Sequence, residues 1–381
     1  MTLLAPFTAS RRSRDIRPSK SVSRGATIGS LICLTVSLPV AGGAACTLFT
    51  SFSGISDGVR DASPNDAPGE SPLACGCDAP ATLASGQVDP TDLVVEPVTG
   101  MLYWRRISAA SIMRCGTNCN DSATSIPLGL GASPKWISAD QSHLVWSTLS
   151  KGVWALPASA LDSGAPIQVW SCNSDHLRID TNSVICFVGL VNSNLVCAPI
   201  EPEGDAGCDF DTVGYGYDSP GPLAVLNGSR LLFASGYQTT PTQPAIFFCQ
   251  DKCGAGGPGK VMANPNGAVA GLAVDDHNVY WTETTSVKMA PYPVAGPPVD
   301  LYQQGQPSAI AVYAGTGDPY VYFVDQSVTI KRVPIAGGAA TTIVSGQKNI
   351  SSIGVDATYV YFTDETLGTV MKVSKCSLCP P

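Results

Sequence analysis

The residues of this chain with the most reactive side chains are fourteen cysteines and three histidines. A cysteine can ligate a metal, exchange electrons or form a disulfide, and a histidine can move a proton near neutral pH. Setting aside Cys33 and Cys46 leaves twelve cysteines, an even number that fits a disulfide framework. Cys115 and Cys119 form CGTNC, and Cys249 and Cys253 form CQDKC, each around a short turn. Cys172, Cys186, Cys197 and Cys208 cluster, and their spacing leaves the pairing open. Cys75 and Cys77 (CGC) and Cys376 and Cys379 (CSLC) stand at the two ends of the repeat-bearing region. C-x-x-C can be a redox motif or half a zinc site, but here no helix or βαβ pattern accompanies it, and CGC is too tight for a zinc knuckle. Disulfides joining the two terminal pairs are therefore expected, with no metal and no cofactor.

The histidines form no HxxxH or HExxH motif. His143 and His277 precede aromatic strand centres, and His176 precedes a short apolar run, so all three read as loop histidines. No G-x-S-x-G elbow, P-loop or dinucleotide fingerprint occurs.

The elements that must position these residues recur. An aromatic residue stands at Trp104, Trp146, Phe187, Phe233, Trp281, Phe323 and Phe362, at spacings of 42, 41, 46, 48, 42 and 39 residues. Before each lies a small apolar run and a polar turn, and after each a third strand-like run. A strand-only repeat of this length indicates propeller blades. The expected fold is all-β, a seven-bladed β-propeller of four-stranded blades, with six or eight blades as alternatives. The last copy stops after its third strand. ATLASG at 81–86 matches TTIVSG at 341–346, a fourth strand, so the N-terminal strand is expected to close the ring. Glu96, Asp140, Asp180, Asp275 and Asp356 begin the first turn of their copies. They read as turn caps rather than as a cation-binding ring. Trp104, Trp146 and Trp281 read as core rather than as a sugar-binding stripe.

Only 14% of residues are charged, 44% are hydrophobic, and the net charge is −8. A basic leader (Arg11, Arg12, Arg14, Arg17, Lys20, Arg24) precedes a broken apolar segment ending in GGAAC, so 1–45 reads as a signal peptide. Cys46 is a lipidation candidate, residues 46–80 a flexible tether, and 81–381 the propeller. A chain starting at Cys46 would lose six basic residues and Asp15 and carry −13, a balance that excludes nucleic acid as a partner.

YWTE at 280–283, YFVD at 322–325 and YFTD at 361–364 resemble the YWTD signature of low-density lipoprotein receptor-type propellers. The likeness is strongest over the last three copies, and that family has six blades where seven copies are counted here. The resemblance implies a propeller and protein binding, with Asp325 and Asp364 making structural hydrogen bonds between strands or blades.

Low charge and scarce histidine favour a non-enzymatic protein. The leading expectation is an exported or surface-anchored propeller, in the outer membrane, periplasm or exterior, binding a protein or glycan of the envelope. Tyr215, Tyr217 and Tyr237, on the loops that lengthen two copies, are the ligand candidates. The alternatives are a propeller enzyme, a lactonase-like hydrolase or lyase with its site at the central channel, and a structural envelope component.

Overall fold

The computed structural model describes residues 79–375, apart from 97, 120–121, 129–132, 172–173, 181, 190–193, 201–220, 227–229, 236–243, 250–259, 294–295 and 316–318. All lie in the unit Gly69–Pro381. They form seven antiparallel sheets, six of four strands and one of three among the described residues. The fold is a seven-bladed propeller.

Blade 1 is built from Pro90–Val95, Leu102–Arg106, Ser111–Cys115 and Thr124–Ile126. The inner strands of blades 2 to 7 are Pro134–Ala139, Ser174–Ile179, Leu223–Leu226, Gly271–Val274, Pro307–Tyr313 and Ile350–Val355. These strands pack against one another right round the ring, and Ile350–Val355 meets Pro90–Val95. Small residues permit the approach: a Cβ on Gly354 would come within 2.5 Å of Val95 Cγ2. The seven recurring aromatics of the second strands are all fully buried. They fill the layers between blades, where Trp104 shares a cluster with Tyr361 of blade 7. Burying such rings dominates core energetics.

The N-terminal strand Ala81–Ala84 pairs antiparallel with Thr369–Ser374, Ala81 facing Lys372 and Ala84 facing Val370. It is the fourth strand of blade 7. Leu83 and Ala84 are buried in the layer between blades 7 and 1.

The ring has two faces. On the front face the inner strands begin and the second strands end, as Pro90 pairs with Arg106 and Ile350 with Asp364. The back face carries the first turns. There Asp140, Asp180, Asp275 and Asp356 each accept two backbone N–H groups at 2.6–2.8 Å, and Glu96 accepts those of Val98 and Thr99. These carboxylates are turn caps. No helix among the described residues is long and apolar enough to cross a membrane.

On the front face, Asp325 accepts Gln306 N (2.8 Å) and pairs with Lys331 (2.7 Å). Asp364 is fully buried and accepts Lys348 N (2.7 Å), Leu367 N (2.9 Å) and Asn349 N (3.3 Å). Each thereby fixes the loop arriving from the preceding blade. Asp364→Ala would leave three part-buried N–H groups without their acceptor, at an expected cost of about 2 kcal/mol. Chemical denaturation measures it, and a loss below about 0.5 kcal/mol would contradict the structural role.

Candidate functional site

An inner strand is the edge of its sheet, so one side of its backbone needs partners from elsewhere. Side chains of the preceding blade supply them. Ser352 Oγ accepts Leu93 N (3.0 Å), Asp92 Oδ2 accepts Ile137 N (2.7 Å), and Ser138 Oγ accepts Ile179 N (3.2 Å). Near their front ends the inner strands of blades 1, 2, 3, 6 and 7 depart from regular register. Such bulges re-aim side chains. Asp92 and His176 sit on two of them at φ 53° and 44°, in the left-handed region.

Asp92, Trp136, His176 and Ser352 take one equivalent position, each just ahead of a buried apolar residue of its strand (Leu93, Ile137, Leu177, Ile353). Pro222, Gly271 and Ala309 stand there in blades 4, 5 and 6. At this position the ring is therefore polar over blades 7, 1, 2 and 3 and carries no polar side chain over blades 4, 5 and 6.

The polar arc is tightly knit. Asp175 Oδ2 pairs with Lys135 Nζ at 2.9 Å, and its Oδ1 accepts the Trp136 indole N–H and, at 2.9 Å, His176 N. The His176 ring stacks on Trp136, with centroids 4.5 Å apart and planes 27° apart. Asp92 lies 3.8 Å from Arg105 Nε. Arg178, two blades on, acts on Asp92 more strongly than Arg105 does, and also acts on His176. Charges on non-adjacent blades thus act on one another across the channel mouth.

Burial drives the titration behaviour. It pushes His176 from 6.5 down to about 4, with Arg178 and Lys135 adding to the effect and Asp175 opposing it. Burial also raises the Asp92 carboxyl above the usual range, against the pull of Arg178, Arg105 and the Ile137 N–H. For Asp175 burial is outweighed by Lys135, His176 and the Trp136 hydrogen bond, which hold it below the usual range.

Six buried polar atoms in blades 1 to 3 make no hydrogen bond: Arg105 Nε, Trp146 Nε1, Ser147 Oγ, Ser174 Oγ, Asp180 Oδ2 and His176 Nδ1, the last lying 3.5 Å from Asp175 Oδ1. Equivalent indoles do have partners, Trp104 at Gln87 and Trp281 at Glu283. Three of the six trace to the start of one strand. Ser147 pairs with Trp136, Arg105 donates from Nη1 to Pro134 O, and His176 stacks on Trp136. Buried polar groups in folded proteins ordinarily find a partner, so this region is suited to a polar ligand. A neutral imidazole can accept a proton there, and Arg178 and Lys135 can stabilise developing negative charge. Among the described residues no group of three or more His, Cys, Asp or Glu side chains is placed to hold a metal ion.

His176 differs from expectation: it lies within the strand Ser174–Ile179, not in a loop, because pairing begins as early as Ser174, and a bulge leaves His176 itself without a ladder partner. His143 begins a second strand with Nδ1 3.3 Å from Ser183 Oγ, and His277 is exposed in a turn. The signal that would have found the site is the shared register of Asp92, Trp136, His176 and Ser352. Tyr215, Tyr217 and Tyr237 lie outside the described residues, as do Cys46, Cys75, Cys77, Cys172, Cys208, Cys253, Cys376 and Cys379. The structure joins Cys115 to Cys119 and Cys186 to Cys197, and Cys249 is also disulfide-bonded. Cys119 Sγ lies 3.2 Å from Leu83 O, and Lys372 donates to Thr117 O and Asn118 Oδ1, so this staple abuts the closing strand.

No family model and no curated protein matches this sequence. Among solved structures the fold is similar to virginiamycin B lyase from Staphylococcus aureus, at 13% identity and a TM-score of 0.56, over 77% of this chain and 98% of that one. A catalytically inactive histidine-to-alanine form of the lyase, solved with quinupristin, aligns at TM-score 0.54 with the same identity and coverage. A gluconolactonase from Xanthomonas campestris aligns at 11% identity over 77% and 88% of the two chains, but a TM-score of 0.44 is too loose to carry an argument. At this distance the likeness shows the fold alone, a multi-bladed propeller without particular kinship to receptor-type repeats. It also corrects the expectation of a non-enzymatic protein. A propeller of this kind can be an enzyme, and one that a single histidine substitution inactivates, so three histidines do not argue against catalysis.

Proposed function

We propose that this chain is an enzyme that opens lactone rings at the front mouth of its central channel, as a lyase or a lactonase-like hydrolase. The observation that carries this reading is His176, a half-buried imidazole that stays neutral down to about pH 4, among cations and buried polar atoms that make no hydrogen bond. Either reaction begins with a proton passing to His176. In elimination the proton comes from the carbon next to the one bearing the ring oxygen; that C–O bond breaks, a double bond forms, and a carboxylate leaves. In hydrolysis the proton comes from water attacking the carbonyl. Arg178 and Lys135 stabilise the oxyanion, and the departing alkoxide takes the proton back.

The test is a panel of lactones of different ring size, followed by acid release and product mass. Ring opening is expected to leave the mass unchanged for elimination and to add one water for hydrolysis. Release of acid from none of them would refute the reading. The joined cysteines suit an oxidising compartment, and an exported enzyme is the reading that fits the leader. Free thiols at Cys115, Cys119, Cys186 and Cys197 in protein from native cells would contradict it.

A further inference from the structure

Three contacts hold His176. Its ring stacks on Trp136, its backbone N–H donates to Asp175 Oδ1 at 2.9 Å, and its Nδ1 lies 3.5 Å from the same oxygen. The Trp136 indole N–H also donates to Asp175 Oδ1, and Lys135 Nζ holds the other carboxylate oxygen at 2.9 Å. One carboxylate of blade 3 is thus pinned by two donors of blade 2 and in turn fixes the histidine that follows it. Its burial is outweighed by Lys135, His176 and Trp136, which keep it ionised.

The two ring nitrogens are placed differently. Nδ1 is buried, and nothing among the described residues donates to it. Nε2 makes no hydrogen bond with them either, but it is not buried. A neutral imidazole carries its proton on one nitrogen and a lone pair on the other. A lone pair at Nδ1 would face the charged Asp175 Oδ1 with no proton between them. A proton at Nδ1 is attracted by that charge, and the lone pair then lies at Nε2, the nitrogen open to the solvent.

We infer that Asp175 is a positioning residue: it keeps the proton of neutral His176 at Nδ1 and so makes Nε2 the atom that takes the substrate's proton. For that transfer the inference rests on the lactone-opening reading above. When Nε2 accepts the proton the ring carries one on each nitrogen. Asp175 stabilises that charge without taking a proton itself, and the Nδ1 proton stays where it is. Among the described charges that act on the ring, Asp175 alone favours the protonated form, whereas Arg178 and Lys135 oppose it.

The tautomer is read from the nitrogen-15 shifts of the His176 ring near neutral pH, assigned with His176→Asn, and needs no substrate. An unrestrained neutral histidine in water favours the Nε2–H form, and exposed His277 serves as the internal reference. Wild type is expected to show Nδ1–H at His176. Asp175→Ala should return the ring toward Nε2–H and lower kcat at least about tenfold. Asp175→Asn, which keeps an acceptor oxygen, should recover part of both. Nε2–H in the wild type, or an unchanged tautomer in folded Asp175→Ala, overturns the inference. A shifted tautomer with kcat unchanged would show that Nε2 is not the acceptor, and also overturns it. Should Asp175→Ala fail to fold, the wild-type spectrum decides. Lactone opening by a protein with Nε2–H at His176 would overturn the inference and leave the lactone-opening reading standing. Nδ1–H without any lactone opened would refute that reading and still support the placement of the proton by Asp175.

Discussion

Removing residues 81–86 should lower the melting temperature by about 10 °C or more. The deletion takes away the fourth strand of blade 7 and with it buried Leu83 and Ala84. Loss of a buried leucine alone costs about 2–5 kcal/mol, and each kcal/mol moves the melting temperature of a domain of a few hundred residues by about 2–4 °C. The deletion also bares one edge of Thr369–Ser374 and uncovers the layer holding Trp104, Met113 and Tyr361. Leu83→Ala isolates the packing part at about 3 kcal/mol with the strand retained. Thermal melts compare the three proteins. An unchanged midpoint in the deletion would mean that the seam holds without its strand.

The second large effect is expected at His176. His176→Asn should lower kcat for lactone opening by about 10²–10⁴-fold, the usual contribution of a positioned acid or base. Asparagine suits the test because the backbone there is left-handed, a conformation it tolerates better than alanine. The wild-type pH profile supplies a second readout. With His176 neutral down to about pH 4, the acid limb of kcat/KM should be centred near 4 rather than 6.5. Stability follows the same proton. Between about 4 and 6.5 the unfolded histidine binds a proton that the native imidazole refuses, so acidification through this window favours unfolding. The asparagine variant should lose that part of the slope. Asp92 works in the opposite sense: its raised folded pKa lets the native carboxyl protonate first, so acidification toward 3.8 favours the native state. Activity within tenfold of wild type, with a normal melt, would remove His176 from the reaction.

The architecture was legible in the sequence because blade packing repeats. Trp104 and its six counterparts meet the same neighbours, so the same residue types recur at near-constant spacing. The closing strand was legible for the same reason, since Leu83 and Ile343 fill equivalent buried positions in ATLASG and TTIVSG. The acids of the first turns were also readable, because an Asx cap is a local interaction. The channel mouth was not. Its side chains come from separate blades, and the bulge at His176 breaks the simple alternation by which the strand could have been followed back to Ser174. Electrostatics hid it further: burial sets the protonation of His176 and Asp92, and burial at the axis appears only once the ring is assembled. Composition does not decide whether the chain is an enzyme, because a site can rest on one histidine however few the chain contains.

The seam has a consequence for how the protein is made. Leu93 and Ser352 are hydrogen-bonded although 259 residues apart. At about 5–20 residues per second, their synthesis is separated by roughly 15–50 s. Through that interval Ala81–Ala84 has been made but its partner strand has not. Closure of the ring thus waits on one very long-range pairing, the kind that slows folding most, while every other strand pairing among the described residues is between neighbours in the chain. An unpaired strand edge left waiting is also prone to join a wrong neighbour. Yield of soluble protein should therefore depend on translation speed and on whatever shields that nascent edge, independently of how stable the finished ring is.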